Sequence, residues 1–158
     1  MFQNQRQIDE AHGFEEEKTQ HNILETIFDC ELIATTRYSL VDFVNDKFKL
    51  MIEMKSLRYN QGDLQSYMLG KCKIDYFRKM YNRGYSVFVI FVLKDKTKIY
   101  YQWSEDDFDP SNFRPFKNTN RCELDSKIHY YIPSNLFSLL EDTDVLLHLD
   151  FDDVAIFC

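Results

Sequence analysis

Residues Tyr85 to Leu93 read YSVFVIFVL, an almost unbroken apolar run of strand length, rich in β-branched and aromatic side chains. A strand with one wet face alternates between apolar and polar. A run that is apolar at nearly every position is expected to be a central strand covered on both faces. Asp95-Lys96 provides a turn after it, and Lys98 to Trp103, KIYYQW, alternates as an antiparallel neighbour would. Just upstream, about Lys71 to Arg83 has helical spacing. Ile74, Phe77 and Tyr81 form its apolar stripe, and Gly84 stands at the position after the C-cap. A second helix is expected over about Phe14 to Phe28, FEEEKTQHNILETIF. Leu24 and Phe28 share a stripe that runs back through Gln20 or His21 to Glu17, and Ile23 and Ile27 lie beside it. The acidic first turn suits the positive end of the helix dipole.

Between the helices, Tyr38 to Leu57 reads as a β-hairpin. Ser39–Val44 and Phe48–Met54 are the apolar arms, and Asn45-Asp46-Lys47 is turn chemistry. A two- or four-residue loop centred on Asp46-Lys47 pairs Val44 with Lys49 and Asp42 with Met51. Asp42 then shares a face with Glu53 and Lys55. A three-residue loop shifts the register by one and sends Asp42 and Glu53 to opposite faces.

The remaining segments are less patterned. Residues 1–13 are polar and expected to be flexible. Arg58–Gly70 reads as a polar loop broken by Gly62 and Gly70. Ser104–Arg121 is a polar, proline-containing loop with acids at Glu105, Asp106, Asp107 and Asp109. It reads as a solvated segment, the alternative being a second metal site. Lys127–Pro133 is expected as a strand, and Asn135–Glu141 as a short helix capped by Ser134. The tail, Asp144–Cys158, has apolar stretches that suit an edge strand or docking on the domain. The order is helix, two strands, helix, two strands, with additions at the C-terminus. It implies a mixed α/β (α+β) class in one domain over residues 14–158.

The chain has 158 residues, 44% of them hydrophobic, enough for a substantial core. No apolar run approaches a membrane span and MFQNQRQIDE is not a signal peptide, so no membrane partner is expected. Four cysteines and four histidines are scattered without metal-ligand spacing, which argues against zinc. Isolated cysteines suit a reducing compartment, the cytoplasm or nucleus. Net charge is -7, but Asn45–Tyr100 holds twelve Lys and Arg against five Asp and Glu. The hairpin region is thus basic and its flanks acidic, as expected for a face that meets phosphates. Ordinary solvated charge is the alternative.

An acid followed two residues later by lysine occurs at Glu16-Lys18, Glu53-Lys55 and Asp125-Lys127. Only Glu53-Met54-Lys55 lies in an apolar strand with an acid, Asp42, on the facing strand. This pairing resembles the metal-dependent PD-(D/E)XK nuclease superfamily, although Asp42 is followed by Phe43 rather than preceded by proline. Arg37-Tyr38-x-x-x-Asp42-Phe43, the nearby Arg58, and Gly70-Lys71-Cys72-Lys73-Ile74 resemble small members of that superfamily from large DNA viruses and phages. The resemblance implies a restriction-endonuclease-like core. It implies Mg²⁺, or Mn²⁺, held by Asp42, Glu53 and the Met54 carbonyl, with Glu17, or failing that Glu16, completing the shell. Lys55 would orient the attacking water and Lys73 would point back at the site. The partner would be nucleic acid, DNA first and RNA second, with Arg58, Lys71 and Arg78 on its phosphates. Lys71 and Lys73 sit at a helix start, where the dipole disfavours cations, so an anionic partner helps to explain them. Two other readings remain open: a nuclease-fold module that binds nucleic acid or protein without cutting, and an interaction protein whose hairpin charges face water. No isologous surface is marked, so a monomer and a dimer both fit the sequence.

Overall fold

The computed structural model describes residues 5–36, 38–115 and 128–146, with only the backbone described for Gln5, Arg6 and residues 9–17. The described chain is an α+β fold built on a mixed sheet. Helix α1 is Gln5–Phe28, and the short strands β1 (Ile33–Ala34) and β2 (Phe43–Asn45) lead to β3 (Leu50–Ser56). Then come β4 (Ser66–Gly70), helix α2 (Lys71–Asn82), β5 (Ser86–Val92) and β6 (Lys98–Gln102). β7 (Phe113–Pro115), β8 (Ile128–Pro133) and β9 (Ser138–Leu140) complete it. The main sheet runs β1-β2-β3-β5-β6-β9, with β3 and β5 parallel and the other neighbours antiparallel. A second sheet runs β4-β8-β7.

β5 is the central strand that its composition implies, because alternate residues enter two separate cores. Val87, Val89 and Phe91 pack with Ile74, Phe77 and Met80 of α2 and with Tyr67, Leu69, Tyr130 and Ile132 of the second sheet. Phe88, Ile90 and Val92 pack with Leu24, Ile27 and Phe28 of α1. β3 divides the same way: Leu50, Ile52 and Met54 face α1, while Met51 faces α2. Each fully buried large side chain contributes about 1.5–3 kcal/mol. The two cores together therefore fix both the sheet and the helices that flank it.

α2 ends as expected: Gly84 has φ +90°, its N–H donates to Tyr81 O, and Tyr85 N–H donates to Met80 O. This pattern satisfies the last carbonyls and requires a left-handed residue that glycine adopts without strain. Its third buried residue is Met80, with Tyr81 only partly buried.

Four expectations change. The hairpin loop has four residues, Asp46–Lys49, but is centred one position later, so Phe43 pairs with Ile52 and Val44 with Met51. The slip is two residues in register, which preserves the faces. Lys49 closes the loop at φ +52°. Second, α1 begins at Gln5 and so extends into the segment expected to be flexible. Gln, Arg, Glu and Ala there are good helix formers. Third, the end of the expected Arg58–Gly70 loop is β4. It gains a partner 60 residues on, as Tyr67 pairs with Ile132 and Leu69 with Tyr130. Local composition carries no trace of such a pairing. Fourth, the short C-terminal helix is a single 3-10 turn, Ser134–Leu136, followed by β9 on the edge of β6.

The Ser104–Arg121 loop is anchored over its described part. Ser104 caps a 3-10 turn, Glu105 pairs with Arg78, and Asp107 accepts from Tyr101 Oη at 2.7 Å. Asp109 accepts from Ser111 N–H at 2.9 Å. Three of the four acids thus have protein partners, while Asp106, Asp107 and Asp109 stay exposed as expected of a solvated segment. Arg78 lies 3.6 Å from the Phe108 ring centroid and donates to both Glu105 carboxylate oxygens at 2.8 and 3.3 Å. Arg78→Met is therefore expected to loosen this loop, at a cost of about 1–2 kcal/mol for a half-exposed pair plus ring stacking. Thermal melts should fall by roughly 2–6 °C, and a double-mutant cycle with Glu105→Gln should show the coupling. An unchanged melt would mean that the loop is held by its aromatic contacts alone.

Residues 1–4, Arg37, 116–127 and 147–158 lie outside the described residues, and with them most of the expected tail. Among the described residues, no helix is long and apolar enough to cross a membrane.

Candidate functional site

The site forms where β2 ends and β3 continues. Asp42 lies just before β2, and its N–H donates to Ile52 O at 2.9 Å although Phe43 is the ladder partner of Ile52. Two consecutive residues thus address one, a bulge that re-aims the first side chain. The Asp42 carboxylate reaches along the strand edge and accepts from Met54 N–H at 2.7 Å. The Met54 backbone is thereby fixed against Asp42.

Glu53 is the next residue back, on the α2 face of β3. Its side chain is only 3% exposed, and Met51, two residues back on the same strand face, belongs to the larger apolar core. Lys73, in the first turn of α2, donates from Nζ to Glu53 Oε1, and its own side chain is 33% exposed. α2 starts directly after β4, and β4 is held by β8, so the second sheet places Lys73 over β3. Gly70 supplies no side-chain cap, and the first turn of α2 carries Lys71 and Lys73 and no acid. An anion approaching that end would meet both the lysines and the helix dipole.

The electrostatics are unusual. Burial pushes the Glu53 carboxyl up to about 8, and the neighbouring Asp42 carboxylate pushes it the same way; the Lys73 ammonium opposes both without cancelling them. The second oxygen, Glu53 Oε2, is buried without a hydrogen-bond partner. A buried, unpartnered carboxylate oxygen costs stability, and an unpaired charge there costs more. A hard cation placed between Asp42 and Glu53 would remove that cost. Carboxylate and carbonyl oxygens are the donors Mg²⁺ prefers, so Asp42, Glu53 and the Met54 carbonyl suit it chemically. Among the described residues, no cluster of three or more His, Cys, Asp or Glu side chains has metal-binding geometry. Any third carboxylate has to come from elsewhere.

Of the residues singled out in the sequence, the structure brings together Asp42, Glu53, Met54 and Lys73. Lys55 follows two positions after Glu53 on the same strand face, partly buried, with Phe91 as its register partner. The Glu17 and Glu16 side chains lie outside what is described. The described contacts of their helix are with the opposite face of the sheet, through Leu24, Ile27 and Phe28. Lys71 pairs with Asp75 at 2.5 Å on the surface, Arg78 is engaged with Glu105, and Arg58 is exposed at the far end of β3.

The sequence did not reveal a buried network on the α1 face. Lys98, 5% exposed, donates to Gln20 Oε1 at 2.9 Å and to Asp142 Oδ1, tying β6 to α1 and to the segment after β9. These residues are far apart in the chain, and no local pattern links them.

No protein-family model matches the chain, and no curated protein matches it.

Proposed function

We propose that this chain is a metal-dependent nuclease that hydrolyses phosphodiester bonds, in DNA first and RNA second. The observation that carries the reading is Glu53: a buried carboxyl with one unpartnered oxygen, beside a second carboxylate and under a lysine. The order α1, β2, β3, α2, β5, β6, with helices on both sheet faces, supports a restriction-endonuclease-like core. Fold alone would not imply cutting.

The chemistry needs a water oxygen to attack phosphorus, the opposite P–O bond to break, and the leaving oxygen to gain a proton. Bound Mg²⁺ or Mn²⁺ would neutralise phosphate charge and lower the pKa of a coordinated water. Asp42, Glu53 and the Met54 carbonyl would hold it. The hydrogen bond from Met54 N–H keeps Asp42 pointed at the site and restricts its rotamers, so less ordering remains to be done on binding. In the metal-free chain Lys73 donates to a Glu53 carboxyl that burial and Asp42 keep protonated near neutral pH; a cation held by Asp42 and Glu53 would leave the Lys73 ammonium free to meet a phosphate at the open side. Lys55 holds and orients the water and stabilises developing charge.

Labelled DNA and RNA substrates, single-stranded and duplex, incubated with Mg²⁺, Mn²⁺ or EDTA test the reading. Cleavage is expected with either metal and absent with EDTA. Metal binding should also release about one proton near pH 7, because Glu53 has to ionise to act as a ligand; calorimetry in buffers of different ionisation heat reads this. No cleavage under any metal, together with no metal effect on the melt, would overturn the proposal.

A further inference from the structure

The edge strand β1 contributes little packing of its own, because the Ile33 and Ala34 side chains are both exposed. It is nevertheless held at both ends. Upstream, α1 clamps the two backbone groups of Leu32: His21 Nε2 donates to Leu32 O at 2.7 Å, and Leu32 N–H donates to Glu25 Oε2 at 2.9 Å. Downstream, the antiparallel register of Ile33 with Val44 and Ala34 with Phe43 runs on by one step, because Thr35 N–H donates to Asp42 O at 2.9 Å. Thr35 is thus set opposite Asp42. Its hydroxyl lies against the same stretch, donating to Val41 O and standing 3.1 Å from Asp42 O. A hydroxyl has one proton to give, and Val41 O is the nearer acceptor.

Two peptide planes meet at the Asp42 Cα. In the first, Val41 O accepts from the Thr35 hydroxyl, and Asp42 N–H donates to Ile52 O at 2.9 Å. A peptide plane is rigid, so holding both of its ends fixes its orientation. In the second, Asp42 O accepts from Thr35 N–H. With both planes held, the Cα–Cβ direction follows, and the carboxylate accepts from Met54 N–H at 2.7 Å. We propose that Thr35 is a positioning residue for Asp42: its hydroxyl locks the bulge that aims the carboxylate at Met54 and at the cation position between Asp42 and Glu53. Valine has the same shape but no proton to donate. It would strip the side-chain donor from the carbonyl of Val41, a residue only 2% exposed. An unmet buried carbonyl is costly enough to turn the peptide toward another donor. A turned peptide swings the Asp42 side chain, and a ligand set tolerates only small displacements. The effect on Met54 stands by itself, whereas the effect on a cation rests on the nuclease reading.

The test is amide hydrogen exchange of the full chain by NMR in EDTA, for the wild type, Thr35→Val and Thr35→Ser. Met54 N–H exchanges when its bond to Asp42 opens, and the β5 amides report global opening, so the ratio of the two isolates the local effect. Thr35→Val should raise the ratio roughly tenfold. Thr35→Ser keeps the hydroxyl and should stay within about threefold of the wild type. Thr35→Ala also lacks the hydroxyl and takes the place of the valine variant if that one does not fold. Calorimetric titration with Mg²⁺ should show binding weakened about tenfold in Thr35→Val and nearly unchanged in Thr35→Ser. The proposal is overturned if loss of the hydroxyl leaves the Met54 ratio within about twofold of the wild type, or if Thr35→Ser raises it as much as Thr35→Val. Metal binding and cleavage by the wild type, alongside an unchanged ratio in Thr35→Val, would remove the Thr35 assignment and leave the nuclease reading intact. A raised ratio in Thr35→Val, with neither Mg²⁺ nor Mn²⁺ bound by the wild type, would keep Thr35 on Asp42 and remove the nuclease reading.

Discussion

Replacing Glu53 by Gln is expected to stabilise the metal-free protein at pH 8 and to abolish both its response to Mg²⁺ and its cleavage. Glu53 ionises near its ordinary value of 4.5 in the unfolded chain and at about 8 in the folded one. Below the first value both states carry the proton. Between the two, the folded state holds a proton that the unfolded state has lost. Wild-type stability therefore falls as pH rises through this window, by up to about 1.4 kcal/mol per pH unit, and flattens above pH 8. The Gln side chain cannot ionise, still accepts from Lys73, and keeps nearly the same shape, so its contribution stays level. The gap between variant and wild type should grow from about pH 5 to pH 8 and reach a few kcal/mol, or on the order of 5–10 °C in the melt. The metal-dependent rise of the melt should disappear with the charge that holds the cation. Melts at several pH values, with and without Mg²⁺, read all of this. If Glu53→Gln unfolds the protein, or leaves the pH slope unchanged, Glu53 is an ionised structural partner of Lys73 and the site has been misread.

Lys55→Met should separate rate from binding. The substitution keeps most of the apolar stem beside Phe91 and removes the ammonium. Its proposed contacts are with the attacking water and the charge that develops on the phosphate, which are strongest in the transition state, so kcat should suffer and ground-state binding should not. Loss of one such charge-stabilising group costs about 10²–10³-fold in rate. Mg²⁺ should still raise the melt of this variant by nearly as much as in the wild type. A variant that cuts within fivefold of the wild type would assign Lys55 to surface charge. One that no longer responds to Mg²⁺ would place Lys55 in the scaffold of the metal site instead.

Several elements were legible because their causes are local. The unbroken run Tyr85–Leu93 required cover on both faces, and it has α1 on one and α2 with the second sheet on the other. Gly84 required a left-handed residue and supplies one. The hairpin was legible because apolar arms flank turn chemistry, and its register slipped by an even two residues; that Asp42 reaches the neighbourhood of Glu53 also depends on the bulge before β2, which period two does not predict. The loop centre was not legible, because Asp46, Lys47, Phe48 and Lys49 all tolerate a turn, and the choice between centres is made by the cores on either side.

By itself, the sequence determined what depends on near neighbours along the chain: the two helices that flank the sheet, the central strand, the hairpin, and the acid-x-Lys triplet within it. The tertiary structure alone decided what depends on distant segments meeting. It gave β4 a partner in β8 and so aimed α2 over the sheet, bringing Lys73 onto Glu53. It sealed Glu53 in an apolar core, the step that moves its pKa, because desolvation is a property of everything packed around a group and not of its sequence neighbours. It paired Arg78 with Glu105. Charge is additive along a sequence, but what a charge does depends on which other charges and how much water the fold leaves beside it.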